Sequence, residues 1–236
     1  MHVTCEPSIL YFGTPVVLVS SMNEAGHANL APISSAFWLG WRCLLGFGAS
    51  SKTPENLLRT GECVLNLPSE AQVGAIDRLA LTTGSNPVPA KKQERGYRFE
   101  ADKFACAGLT PMASQTVRPP RVAECPVQLE AVVEGVHRLG ENDDQQRGKI
   151  VCIEVRVQRV HVASELLMPD APDHIDPDRW RPLIMSFQKF YGLSEQQLHT
   201  SRLASIPEAS YRSYDVERAR AAPVVGASAS PLACPA

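Results

Sequence analysis

The sequence has no long apolar segment and no excess of charge of either sign. Its 23 Lys and Arg residues are balanced by 25 Asp and Glu residues. A chain without a cationic field is poorly suited to nucleic acid or to an anionic lipid surface, so we expect neither partner. The longest uncharged apolar run near the start, Pro15 to Val19, is far below the roughly 20 residues that a membrane span needs. It is also too short for a signal-peptide core.

Cysteine motifs are missing as well. The 236 residues include seven cysteines, an odd number, with no Cys-x-x-Cys pair and no Cys/His spacing typical of zinc. Two carboxylates flank a histidine between Asp173 and Asp176, but this proline-bounded stretch has the composition of a turn, so we assign no metal ligand. We therefore expect a soluble, cytoplasmic protein with reduced thiols.

The length of 236 residues, with 44% hydrophobic residues, suits a chain that builds a real core. We place one large domain at residues 1–215 and a disordered tail at residues 216–236, because the chain from Ala221 onward is rich in Ala, Pro and Ser. A short helix over Glu195 to Ala204 is expected before that tail, with Ser194 as its cap.

The first third of the chain is dominated by β-strand patterns. A β-branched run, a turn ending at Gly26 and a second apolar segment predict a hairpin formed by Pro15 to Ser20 and His27 to Trp38. Further strands are expected at Arg42 to Phe47 and at Glu62 to Leu67.

Two helices have clear capping signals in the sequence. For the first we expect Thr53 as N-cap, Pro54 at the first helical position and Gly61 as the terminator. The second is expected to begin at Ser69, since Ser69 and Gln72 have the spacing of a capping box.

The rest of the chain predicts two long strands between irregular segments. Residues alternate between apolar and polar from Val127 to Glu134 and from Ile150 to Val162, and the parity change near Gln158 indicates a bulge. Ser85 to Arg121 and Pro169 to Pro182 are expected to be loops. Many strands with short helices between them predict a mainly β fold, a barrel with helical decoration.

The stretch from Gly46 to Asn56 carries the strongest chemical signal. It joins a predicted strand to a helix start, where unpaired backbone N–H groups and the helix dipole favour an anion. Ser50, Ser51 and Thr53 add hydroxyl groups and Lys52 adds a charge, so phosphate is the ligand that this arrangement suits best. A capped helix with a solvated lysine explains the same residues equally well.

Two known phosphate motifs nearly match this stretch and both fail. Read as a P-loop, it has Ser51 where the second glycine belongs. Read as a dinucleotide fingerprint, it lacks the third glycine and the surrounding βαβ unit.

The segment from Asn29 to Phe37 is unusual for a core strand. Ser34 and Ser35 are adjacent hydroxyls in an apolar run, and Pro32 cannot donate to a sheet ladder. The strand therefore lies at an edge or opens to a ligand such as a flat heteroaromatic ring. An edge strand whose serines bond to the backbone is an equally good interpretation.

Together these segments resemble one known family. The ordered set spans roughly residues 8 to 165 and closely resembles the flavin reductase-like, FMN-binding split-barrel family. The matching segments are residues 9–20, 29–35, 51–53, 61–68, 107–110, 119–127 and 159–162.

The resemblance implies a six-stranded Greek-key split barrel that forms a homodimer, with FMN, or alternatively FAD, bound near the subunit interface. It also implies which residues hold the flavin. Pro32, Ile33, Ser34 and Ser35 would face the ring, and Asn29 and Ala31 of the same strand would also bind the cofactor. The residues that hold the phosphate are Ser50, Ser51, Lys52, Thr53 and Asn56.

The activity that the resemblance implies is NAD(P)H-dependent reduction of FMN, with reduced flavin passed to a separate monooxygenase. Because the flavin carries out the hydride chemistry, no side chain is assigned as catalytic. The alternative is a flavin-binding dimer without reductase activity, acting as a carrier or redox-responsive partner. It is favoured by Ser186 and Phe187, which stand where many relatives carry a glycine pair.

Overall fold

The computed structural model describes residues 1–225 as a set of antiparallel strands with short helices on their surface. The strands in chain order are β1 (Phe12–Pro15), β2 (Val17–Met22), β3 (Ala28–Ile33), β4 (Ala36–Leu39), β5 (Arg42–Gly48), β6 (Glu62–Leu67), β7 (Thr82–Thr83), β8 (Arg98–Phe99), β9 (Pro111–Met112), β10 (Arg121–Val122), β11 (Val127–Leu139), β12 (Ile150–Val162), β13 (Leu167–Met168), β14 (Ala171–Ile175), β15 (Ile184–Ser186) and β16 (Lys189–Tyr191).

The helices are short, and four further segments are single 3₁₀ turns. The α-helices are α1 (Lys52–Thr60), α2 (Val73–Leu79), α3 (Ala90–Gln93), α4 (Lys103–Ala107) and α5 (Tyr214–Arg220). The 3₁₀ segments are Glu70–Gln72, Ser164–Leu166, Arg202–Ser205 and Glu208–Tyr211. No helix within residues 1–225 is long and apolar enough to cross a bilayer.

The main sheet confirms the predicted split barrel. Its seven strands follow the order β3-β2-β6-β11-β12-β5-β4, and all neighbours are antiparallel. The two edge strands, β3 and β4, are consecutive in the chain and are separated only by Ser34 and Ser35. If β3 and β4 are counted as one bent strand, the sheet has the six strands of the expected barrel. The barrel is split between β3 and β4.

The sequence of β2 and of Val16 just before it does not alternate, because both faces are buried. Val17 and Val19 belong to the cluster inside the barrel, whereas Val16 and Leu18 pack on the outer cluster beneath α2 and α4. A strand buried on both faces reads as a continuous apolar run. The expected hairpin is present, since β2 pairs with β3 from Val17 opposite Ile33 onward.

Several local predictions are confirmed by the backbone. Glu130 pairs with Arg159 and Ala131 pairs with Val157, so Gln158 is the extra residue of a bulge. The Ser69 capping box forms, and the Gln72 side chain accepts from the Ser69 backbone N–H at 2.9 Å. It opens the 3₁₀ turn that leads into α2.

The predicted start of α1 is wrong by two residues. The helix begins at Lys52 with Ser51 as N-cap, so Thr53 and Pro54 lie inside the first turn. The chain enters this turn from β5 through Gly48, whose carbonyl accepts from the Ser51 N–H at 3.0 Å and thereby sets the start of the helix. Gly61 ends the helix as expected, with a left-handed φ of 72° that glycine adopts readily.

Three predictions for the outer segments need correction. Pro169 to Pro182 is not only a loop, because β13 and β14 form a two-stranded ribbon in which a proline is tolerated. No α-helix covers Glu195 to Ala204, where only the 3₁₀ turn Arg202–Ser205 forms. Ser85 to Arg121 is largely irregular, as expected, but includes α3 and α4.

The predicted tail starts too early. Residues 216–220 belong to α5, where Ala219 is buried and Asp215 binds Arg42 of β5 at 3.1 Å. Local composition missed this helix because its support comes from a strand far away in the sequence. The rest of the predicted tail, residues 226–236, lies outside the described residues.

A buried carboxylate ties the irregular middle segment to the barrel. Glu130 of β11 is fully buried and accepts hydrogen bonds from the backbone of Gln115, from the hydroxyl of Thr116 at 2.6 Å and from His161 at 2.7 Å. Burial alone would raise the pKa of Glu130, but the bonds from His161 and Thr116 lower it from 4.5 to about 2. The ionised form is therefore the one that the fold stabilises.

Glu130→Gln is expected to reduce stability near pH 7 by about 2–3 kcal/mol, because it removes charge-assisted hydrogen bonds. Since the pKa of Glu130 is depressed in the folded state, this contribution is complete above pH 4.5 and is lost as the pH falls towards 2. Urea unfolding at several pH values should show the gap between wild type and variant closing over that window. The exposed Glu165→Gln serves as control, and a gap that stays constant with pH would contradict this role.

Candidate functional site

The two predicted groups of site residues meet where β3 passes the start of α1. The side-chain amide of Asn29 donates to the Thr53 hydroxyl at 3.4 Å, and that of Asn56 donates to Ser21 at 3.1 Å. The Asn29 amide also reaches Ser21, at 3.5 Å. Ser21, at the end of β2, was missed in the sequence because nothing local distinguishes it from an ordinary strand serine.

The start of α1 keeps several donors free. Ser51 forms no side-chain cap bond, so its hydroxyl is not used by the helix. The backbone N–H groups of Lys52 and Thr53 precede the first intrahelical bond, which Glu55 makes to the Ser51 carbonyl. Free N–H groups beside hydroxyls at a helix N-terminus are suited to an anion.

The charge of Lys52 is already balanced. Its ammonium group lies 2.7 Å from a carboxylate oxygen of Glu24 and 2.7 Å from one of Glu55. Burial alone would lower the pKa of Lys52, but the hydrogen bonds that its ammonium donates to Glu24 and Glu55 raise the pKa, so the side chain is charged. At this position the hydroxyls and backbone N–H groups are the donors not yet engaged.

A buried acceptor is also available. Asn56 is fully buried, and its side-chain oxygen has no hydrogen-bond partner within residues 1–225. An unpaired buried acceptor is costly unless a donor reaches it. A ligand that carries hydroxyl groups next to its phosphate would supply that donor.

An apolar cavity opens at the other end of β3. It has a volume of about 180 Å³ and lies at the split in the barrel, lined also by α2 and by the hairpin of β15 and β16. Its lining residues are Val16, Pro32, Ile33, Ser34, Ile76, Ala80, Met185 and Phe190. Val16 and the last four were not predicted as site residues, because they come from other elements of the chain than β3.

The predicted ring-side residues divide into two sets. Pro32, Ile33 and Ser34 line the cavity, whereas the Ser35 hydroxyl bonds to that of Tyr11 at 3.1 Å. Ala31 pairs with Val19 on the edge strand, between the cavity and Asn29. At roughly 3.3 Å per residue, about 10 Å of β3 separates Pro32 from Asn29.

The hairpin beside the cavity has an unusual turn. Phe187 and Gln188 both have positive φ, 45° and 67°, where two-residue hairpin turns favour glycine or asparagine. Phe187 packs edge-on against Phe12 with ring centroids 4.8 Å apart. The turn that holds Met185 and Phe190 is therefore fixed by an aromatic contact at its tip.

Gly84 closes the other end of the site. A Cβ at this position would lie 2.5 Å from the Asn29 side-chain oxygen and 3.3 Å from Cγ of Lys52. The absence of a side chain lets the segment after β7 pack directly onto the Asn29 amide.

Gly84→Ala is expected to destabilise the fold by roughly 1–3 kcal/mol, because the Asn29 amide must leave Thr53 and Ser21 to make room. Gly74→Ala in α2 is the matched control, since its Cβ would meet nothing closer than 3.6 Å. Alanine suits a helix better than glycine, so the control should be neutral or stabilising. Urea unfolding measures both, and equal stability of the two variants would contradict this packing.

Comparison with known proteins agrees with this architecture. The family model described as flavin reductase like domain matches residues 9–194. The uncharacterized protein YdfE of Bacillus subtilis is 34% identical over 197 residues, which cover 84% of this chain and 92% of that protein.

Two solved structures share the fold at low sequence identity. Flavoredoxin of Desulfovibrio vulgaris has a TM-score of 0.68 at 20% identity and covers 87% of this chain and 100% of its own. Nitrilotriacetate monooxygenase component B from Bacillus cereus has a TM-score of 0.63 at 24% identity, covering 80% of this chain and 88% of its own. Because the family model matches residues 9–194, which is most of this chain, the chain belongs to the flavin reductase-like domain family.

Proposed function

We propose that this protein binds FMN along β3 and uses NAD(P)H to reduce it. The observation that supports this most directly is the juxtaposition of an apolar cavity with an anion-binding helix start, joined by one edge strand. A flavin has the same order of parts: an apolar ring, a hydroxylated chain and a phosphate. Membership of the flavin reductase-like family supports the same cofactor.

In this proposal each part of the site has one role. Pro32, Ile33 and Ser34 bind the ring and, with Met185 and Phe190, exclude water from it. The oxygen of Asn56 accepts from a ligand hydroxyl.

The start of α1 holds the phosphate. Ser50 and Ser51 donate hydroxyl hydrogen bonds, and Lys52 and Thr53 donate through their backbone N–H groups. One such helix start accommodates one phosphate, so FMN is preferred over FAD. The bound flavin supplies hydride acceptance from the nicotinamide, which explains how a site without an acid–base pair acts as an oxidoreductase.

Ser51→Ala tests the phosphate assignment without disturbing the helix, because the Ser51 hydroxyl makes no capping bond. We expect unchanged thermal stability and FMN affinity reduced about fivefold to tenfold, in keeping with one lost hydrogen bond to a charged group. Exposed Ser210→Ala is the control.

The direct test of the proposed function is spectroscopic. Purified protein should retain the flavin absorbance band after gel filtration with FMN, and added FMN should stimulate oxidation of NADH or NADPH followed at 340 nm. If the protein neither retains FMN nor shows stimulated oxidation of NADH or NADPH, the proposal is refuted.

The alternative, a flavin-binding dimer without reductase activity, is favoured by the β15–β16 turn. Phe187 lies at its tip, 39% exposed and packed edge-on against Phe12. A bulky side chain here restricts approach of a nicotinamide to the cavity. Retained FMN without stimulated oxidation of either nicotinamide would establish this function in place of the first.

We also propose that the protein is a homodimer. Phe37 and Leu39 project from the edge strand β4 with 52% and 71% of their surface exposed, beside Arg42 and Leu44. An exposed apolar edge strand is an aggregation liability unless another chain covers it. A second copy of this chain, meeting it near the split, is the occupant that fits a flavin site close to the interface.

Leu39→Asp is expected to convert the dimer to a monomer, because it places a charge in that apolar contact. Light scattering after size-exclusion chromatography measures the mass. Leu198→Asp is the matched control, since Leu198 is 94% exposed away from any strand. A wild-type monomer, or a dimer that survives Leu39→Asp, would refute the interface.

Transfer of reduced flavin to a separate monooxygenase is the proposed role of the reaction. A structural relative is named as a monooxygenase component, which supports a two-component arrangement. The cysteines described in residues 1–225 are free thiols, in keeping with the cytoplasmic location that we propose. The proposed domain covers the barrel and its C-terminal helix α5.

A further inference from the structure

The candidate cavity has walls from two different sheets. Pro32, Ile33 and Ser34 lie at the split edge of the main sheet, whereas Met185 and Phe190 belong to the separate sheet of β1, β15 and β16. A ring bound between these walls is held only as firmly as the two sheets are held to each other. The contacts that join the two sheets therefore determine how such a ring is oriented.

The base of the β15–β16 hairpin is attached to the main sheet through the backbone. Leu183, just before β15, donates to the Pro68 carbonyl at 3.1 Å and accepts from the Val16 N–H at 2.9 Å. Pro68 follows β6, and Val16 leads into β2, so both partners belong to the main sheet or adjoin it. The tip of the hairpin, at Phe187 and Gln188, needs a separate attachment.

Tyr11 supplies the attachment at the tip. Its backbone carbonyl accepts from the Phe187 N–H at 3.0 Å and from the Ser186 hydroxyl at 3.4 Å. Its own hydroxyl is hydrogen-bonded to that of Ser35 at 3.1 Å, next to Ser34 of the opposite wall. One residue therefore connects the tip of the hairpin to the split in the barrel.

The Ser35 end of this connection is fixed. The Ser35 carbonyl accepts from the Gly46 N–H of β5 at 2.8 Å. A Cβ at Gly46 would lie 3.0 Å from the Cβ of Ser35, so the absence of a side chain lets Ser35 pack closely on β5. Because β5 belongs to the main sheet, the Tyr11 hydroxyl is bonded to a fixed point of the barrel.

The hairpin end of the connection is strained. The positive φ values of Phe187 and Gln188 are unfavourable for residues other than glycine. Such a conformation persists only where surrounding contacts hold it. Those contacts are the Tyr11 carbonyl and the ring of Phe12, which packs edge-on against Phe187. Weakening the attachment at Tyr11 is therefore expected to let the tip move.

We propose that Tyr11 is a positioning residue that sets the distance between the two cavity walls and thereby the orientation of the flavin ring. Tyr11 is not one of the lining residues, so it acts through Ser35 and through the hairpin. This inference rests on the proposed function, since it names a residue that orders the same cavity. A hydroxyl outside the cavity then affects binding of the ring and not of the phosphate.

The first test compares FMN with riboflavin, which has the same ring and no phosphate. Tyr11→Phe removes only the hydroxyl, and we expect the affinity for both flavins to fall equally, about threefold to tenfold, as for one lost hydrogen bond. Flavin fluorescence quenching measures both affinities. Tyr191→Phe on β16 is the matched control, because the Tyr191 hydroxyl makes no hydrogen bond within residues 1–225. Unchanged affinities in Tyr11→Phe, or a loss confined to FMN, would overturn the inference.

The visible circular dichroism of bound FMN separates positioning from a merely structural role. The signal depends on the ring being held in one orientation within the protein. At saturating FMN it should weaken in Tyr11→Phe and stay at the wild-type level in Tyr191→Phe. Equal spectra of Tyr11→Phe and wild type at saturation would show that the hydroxyl does not orient the ring.

A double-mutant cycle tests whether Tyr11 acts through Ser35. In the Ser35→Ala background the bond between the two hydroxyls is already absent. Tyr11→Phe should then cause no further loss of flavin affinity, so the two effects are not additive. Additive losses would mean that the two hydroxyls act independently, which contradicts the proposed connection.

Amide hydrogen exchange gives a readout that needs no flavin. In the protein without ligand, residues 184–191 should exchange about threefold to tenfold faster in Tyr11→Phe than in the wild type, and at the wild-type rate in Tyr191→Phe. Unchanged exchange would refute this inference and leave the proposed function intact. If the wild type binds neither flavin, the proposed function fails, and hydrogen exchange then decides by itself whether Tyr11 holds the hairpin to the barrel.

Discussion

The break between β3 and β4 is the constraint on which the rest of the structure depends. A continuous strand here would close the barrel and satisfy both sheet edges. Instead the chain leaves the sheet at Ser34 and Ser35 and rejoins it on the far side next to β5. This break leaves an edge strand, a proline without a ladder donor and an apolar opening in one place. The apolar cavity and the exposed edge strand β4 both derive from it.

The electrostatics of the site follow from where charges are compensated. Lys52, the lysine that the motif emphasises, has Glu24 and Glu55 within 2.7 Å. The Ser51 hydroxyl and the backbone N–H groups of Lys52 and Thr53 are not engaged in this way. The donors that remain for an anion at the start of α1 are therefore neutral groups and not the lysine ammonium.

Much of the fold could be predicted from local signals. The bulge at Gln158, the capping box at Ser69 and the terminator Gly61 each depend on a few neighbouring residues, and each is present. The helix over Glu195 to Ala204 and the early start of the tail were wrong. In the tail, packing on a distant strand formed α5 against the local composition, as the ion pair between Asp215 and Arg42 shows. Residues 195–204 are exposed throughout, so no tertiary packing stabilises a helix there.

The sequence by itself determined the mainly β architecture, the donors at the start of α1 and the edge character of the strand with Pro32, because propensity, capping and ladder donors act over a few residues. Only the tertiary structure decided that Ser34 faces the cavity while Ser35 turns to Tyr11. It alone packed Phe104 of α4 in one cluster with Leu30 of β3 and paired Lys52 with Glu24. These contacts depend on burial and on charges that separate segments supply. They therefore exist only when folding brings those segments together.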